Sequence, residues 1–150
     1  METTAVLKIS GEDFDVGEFL ARNSRLRPVA VWKKGELGRQ RRINDTSGFS
    51  LLLGEGQVEE VFASAQKAFL RLATVFSDAE RSGADAVLDF AMFVGSERQF
   101  APWIMFSPEE LRTFSERGLH LTVSAYPVSD EADDDSESVE AAAAKGRNHG

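Results

Sequence analysis

Stretches of period two and stretches of period three to four divide this chain into alternating elements. Ala5, Leu7 and Ile9 alternate with Val6, Lys8 and Ser10, which predicts a first strand. Asp15 and Glu18 form a capping-box-like pair, and Val16, Phe19 and Leu20 share one helix face, so a short helix follows and ends near Asn23. Pro28 leads into a second strand over 29–32, and Lys33-Lys34-Gly35 turns the chain. The polar, basic, glycine-containing stretch 36–47 predicts a long loop, followed by a third strand over 49–53. The clearest element is a helix over about 57–76, where Val58, Val61, Phe62, Ala65, Phe69, Leu72 and Phe76 recur at steps of three and four. Ser82-Gly83 ends that pattern, and residues 86–94 read as a strongly apolar strand.

Gly95 to Arg98 suits a hairpin turn into a partner strand over 100–106. Pro102 cannot donate to a ladder, so that strand is expected at an edge or bulged. Ser107-Pro108-Glu109-Glu110 starts a helix anchored by Leu111 and Phe114 and stopped by Gly118. Leu119, Leu121, Val123 and Ala125 form the buried face of a last strand that Pro127 closes. The order is β-α-β-β-α-β-β-α-β. It predicts an α+β fold with a single mixed sheet of about six strands and the helices on one face. This is a ferredoxin-like layout extended by one βαβ unit.

Charge divides the chain further. Residues 21–45 hold eight basic and two acidic side chains, a net charge of +6 in a chain whose total is −8. Residues 127–150 hold seven acids against two bases, with Asp133, Asp134 and Asp135 in a row. A globular domain over 1–127 and an acidic, disordered tail over 128–150 are expected. Cysteine is absent, which removes disulfides, thiolate metal sites and cysteine nucleophiles. No apolar run approaches a membrane span, and the first residues, Met1-Glu2-Thr3-Thr4, lack the basic and apolar regions of a signal peptide. A cytoplasmic protein is expected.

Several short motifs together carry a family resemblance. The chain opens with Leu7-x-Ile9-x-Gly11-Glu12-Asp13-Phe14-Asp15, continues with Trp32-Lys33-Lys34-Gly35-Glu36 and Gly48-Phe49-Ser50-Leu51, and ends with Ser107-Pro108-Glu109-Glu110-Leu111, Gly118-Leu119-His120-Leu121 and Tyr126. In order and spacing this resembles the domain of unknown function 4279 family over about residues 5–127. The resemblance implies a small cytoplasmic bacterial protein and carries no catalytic residues over. It also implies that some members act as immunity or antitoxin-like partners. The Pro102 strand and the acidic tail depart from the family pattern.

Candidate chemistry is sparse. Gly54-Glu55-Gly56 precedes a helix, but Glu59 stands where a dinucleotide fingerprint needs its third glycine, and Glu55, Glu59 and Glu60 would repel a phosphate. His120 and Ser124 lie about 13 Å apart along one strand, too far for proton transfer. Acid pairs such as Asp85 with Asp89, or Glu109 with Glu110, are expected by chance in so acidic a chain. Arg39, Arg41 and Arg42 crown the basic stretch, which reads first as a solvated or intramolecularly paired face, next as a site for an acidic protein patch or the chain's own tail, and last for nucleic acid, given the acidic flanks. Phe100 and Trp103 sit on the expected edge strand, where core packing is the first reading and recruitment of a strand from a partner or a second copy the second.

No enzyme and no cofactor is expected. The sequence points to a non-enzymatic protein-binding domain, of the immunity or antitoxin type, that neutralises a partner such as a basic toxin domain by stoichiometric binding. Its candidate contacts are Phe100, Trp103, Arg39, Arg41, Arg42, Asp133, Asp134 and Asp135. The alternative is a small-molecule sensor or carrier with a pocket between the sheet and the long helix. A homodimer through the edge strand is compatible with either.

Overall fold

The computed structural model of the chain describes residues 2–94 and 104–127. These residues form strands β1 (Glu2–Gly11), β2 (Ala30–Trp32), β3 (Ser47–Gln57), β4 (Asp85–Val94) and β5 (Leu119–Pro127), with helices α1 (Val16–Arg22), α2 (Val58–Arg71), α3 (Ala73–Arg81) and α4 (Pro108–Glu116). The strands make one mixed sheet in the order β2-β3-β1-β4-β5. β1 runs antiparallel to both β3 and β4, β2 runs antiparallel to β3, and β5 runs parallel to β4.

The α+β class with a single mixed sheet is as expected, but the described residues contain five strands rather than six. The predicted strand over 100–106 is the difference. Residues 100–103 lie outside the described part, and Ile104 to Phe106 are not in a strand. The Phe106 ring packs against Phe62, Phe90 and Phe114 at centroid distances of 5.4–5.9 Å. The chain therefore passes from β4 through α4 and lays β5 directly beside β4.

Local chemistry accounts for most boundaries. Asp15 caps α1 by accepting from the Glu18 amide, and α4 opens with a full capping box between Ser107 and Glu110 behind Pro108. The predicted long helix is two segments that meet at Leu72, and it runs on to Arg81. Val75, Phe76 and Ala79 of the second segment continue the buried stripe at steps of three and four and join the same core. The helix thus passes its predicted end at Phe76 and stops at Ser82-Gly83, where the apolar pattern breaks. Gly83 adopts φ +72°, and the Gly83 and Ala84 amides bond back to the Glu80 and Ala79 carbonyls, a Schellman closure.

Strand alternation puts Ala5, Leu7, Ile9, Phe49, Leu51, Leu53, Ala86, Leu88 and Phe90 on one face of the sheet, where all four helices bury their apolar residues. Ten of the chain's eleven phenylalanines are described, and nine join this layer as two ring clusters. Phe14, Phe19 and Phe49 form one cluster under α1. Phe62, Phe69, Phe76, Phe90, Phe106 and Phe114 form the other between α2, α3, α4 and β4. Leu111, expected as an anchor of α4, is half exposed, so Phe114 is that helix's buried anchor.

Candidate functional site: the outer face of the sheet

With all the helices on one side, the opposite face of the sheet carries no helix among the described residues. Its side chains follow from register. One row across the strands is Leu52, Val6, Asp89 and Thr122, and the next is Ala30, Ser50, Lys8, Val87 and His120. On the other side of the first row stand Glu55, Thr4, Ala91 and Ser124. Trp32 and Tyr126 mark two corners.

Asp89 organises the middle of this face. It is the one charged residue in the apolar run 86–94, and only 7% of it is exposed. Thr122 Oγ1 donates to Asp89 Oδ1 at 2.6 Å and Ser124 Oγ donates to the same oxygen at 2.9 Å. A carboxylate set into an apolar strand needs such donors to offset its lost hydration. Parallel pairing of Asp89 with Thr122 supplies them, and it fixes the hydroxyls of β5 against β4. Next to this cluster Phe93 and Tyr126 stack at 5.8 Å, both with substantial exposure.

At the far edge Trp32 lies over the bare backbone of Gly48. A Cβ there would sit 2.5 Å from the Ile9 carbonyl oxygen and 2.7 Å from Trp32 Cζ2, so only glycine lets the indole settle. The indole Nε1 donates to Thr46 Oγ1 at 3.3 Å. Trp32, which a strand-end position would more often send to a core, is thus half-buried on the outer face. Beyond it the loop over 33–46 makes a small hairpin tied by the Leu37–Ile43 bridge. Its tip holds Gln40 and Arg41 at φ +60° and +57°, a left-handed conformation that costs non-glycine residues about 1–2 kcal/mol each. That tip presents Arg39, Arg41 and Arg42 to solvent, as the charge pattern predicts.

Residues 1–128 match the family described as "Domain of unknown function (DUF4279)". The chain belongs to this family. No curated protein and no solved structure matches it. In this DUF4279 domain the expected contact residues fall into two groups. Arg39, Arg41 and Arg42 are exposed together on the hairpin beside β2. Phe100, Trp103, Asp133, Asp134 and Asp135 lie outside the described residues.

The remaining candidates separate as well. His120 is exposed on the outer face, two steps from Thr122 and four from Ser124, and Asp85 stands at the start of β4, four residues from Asp89. Glu110 serves the α4 capping box. Among the described residues no three His, Cys, Asp or Glu side chains converge to hold a metal ion, and no helix is long and apolar enough to cross a membrane. The crevice lined by Phe62, Ala65, Gln66, Phe90, Glu110 and Phe114, between the sheet and α2, has no room for a water molecule. The Asp89–Thr122–Ser124 cluster is the feature the sequence concealed. Its signal was a lone acid in an apolar strand, which composition alone makes look accidental.

Proposed function

We propose that this DUF4279 domain is a non-enzymatic protein-binding domain that neutralises a basic partner by stoichiometric occlusion, in the manner of an immunity or antitoxin protein. The observation that carries this reading is the sheet face that no helix covers among the described residues. Exposed Leu52, Phe93 and Tyr126 surround the Asp89 cluster there, with Trp32 at one corner. Apolar and aromatic groups around a partly buried carboxylate form the pattern of a protein-docking patch: the apolar groups supply contact area, and the carboxylate selects a cationic side chain. Glu55, Asp85 and Asp89 outnumber Lys8 on this face, and the whole chain is net −8, so the field favours a basic partner and hastens encounter with it.

The test is affinity capture by the full chain from its native cells, at low and high salt. The wild type and Leu70→Glu, which alters an exposed site on α2, are expected to retain one basic protein in equal proportion. Leu52→Glu and Phe93→Glu are expected to lose it. Retention of that protein by both face variants, or recovery of no protein by the wild type at either salt, would overturn the proposal.

A further inference from the structure

The two edges of the sheet are built differently. At one edge β2 is only three residues long, with Pro28 just before it and Lys33 and Lys34 just after. Short length, proline and lysine are the usual guards against strand recruitment. At the other edge β5 runs nine residues, paired with β4 without a register shift and with no other strand among the described residues. From Leu119 to Tyr126 it contains no Asp, Glu, Lys, Arg, Pro or Gly. Val123, paired with Phe90 on the helix-bearing face, is 46% exposed. An uncharged, regular, unguarded edge of this length is a template for another strand.

We infer that β5 pairs antiparallel with β5 of a second copy, joining two five-stranded sheets into one ten-stranded sheet. The strand is complementary to itself. About a two-fold axis at Val123, Leu121 faces Ala125 of the second copy on the helix side, while Thr122 faces Ser124 and His120 faces Tyr126 on the outer side. Each face therefore keeps its own polarity, and no charged side chain meets its like. The antiparallel direction also sets the two Pro127 residues at opposite ends of the joined sheet, whereas a parallel pair would set them side by side. Val123 gains cover from its counterpart, and the outer face is doubled in width.

Sedimentation equilibrium of the full chain over a dilution series is the first test, with an expected mass of twice 16.5 kDa at the concentrated end. The absence of cysteine makes a second test clean. Directly opposed residues of an antiparallel pair have Cα atoms about 4.5–5.5 Å apart, within disulfide range. Under mild oxidation Val123→Cys should give a covalent dimer in high yield, while Leu70→Cys on α2 should not. Val123→Lys should sediment as one chain with its circular dichroism unchanged. A single-chain mass for the wild type throughout, equal cross-linking of the two cysteine variants, or a persistent dimer of folded Val123→Lys would each overturn the inference.

Discussion

Asp89 shows how a single polar side chain can fix a sheet. Its Oδ1 takes both β5 hydroxyls, and removing it deletes two hydrogen bonds to a charged acceptor that is itself almost fully buried. Asp89→Ala is therefore expected to lower stability by about 1–3 kcal/mol in urea unfolding. Thr3 is the opposite case. Its hydroxyl is fully buried in the apolar layer and has no hydrogen-bond partner. Thr3→Val should raise stability by about 1 kcal/mol, since it keeps the shape and removes the unpaired group. Asp78 ties α3 to α1. Asn23 Nδ2 donates to it at 3.0 Å and the Arg22 guanidinium lies beside it, and these hold its carboxyl below the usual carboxylate value against the opposing pull of desolvation. A carboxyl more acidic in the folded than in the unfolded state stabilises the fold at neutral pH, and that contribution is lost as pH falls through the lowered folded value. The stability gap between wild type and Asp78→Asn should be full at neutral pH and shrink below about pH 3.8. A gap that widens on acidification would contradict the assignment.

Elements whose cause is local were legible in the sequence, and those whose cause is tertiary were not. The capping box at Ser107 and Glu110, the Asp15 cap and the glycine stop at Gly83 all depend on neighbours within a few residues, and all three stand where the chain's pattern puts them. Gly83→Ala should lower the midpoint of thermal unfolding, with a cost of about 1 kcal/mol, because only glycine takes its φ of +72° freely. The bend at Leu72 has no glycine or proline to announce it. It arises where Phe69 and Phe76 both turn toward the core and meet edge to face at 5.9 Å. Over the described part of the predicted strand 100–106 the cause is likewise tertiary: Ile104 to Phe106 pair with no strand, and the Phe106 ring packs against Phe62, Phe90 and Phe114 just ahead of α4. The candidate site divides along the same line. The exposed arginines of the hairpin could be read from charge, whereas the Asp89 cluster needs the register of β4 against β5, which no local pattern specifies.

At the scale of the whole molecule, one layer of helices leaves one face of the sheet and one long edge unclaimed among the described residues. Both are positioned by the same strands. β4 and β5 carry the Asp89 cluster and the Phe93–Tyr126 stack on the outer face, and β5 also forms the unguarded edge. Association with a basic partner through this face should slow as ionic strength rises, because the steering field of a chain at −8 is screened by salt. The most direct measurement is site-specific photo-cross-linking in native cells, with the photoreactive residue placed at Leu52 on the outer face or at Leu70 on α2. An adduct of defined mass, one basic partner per chain, is expected from position 52 and none from position 70. Adducts of equal yield from both positions, or from position 70 alone, would contradict it.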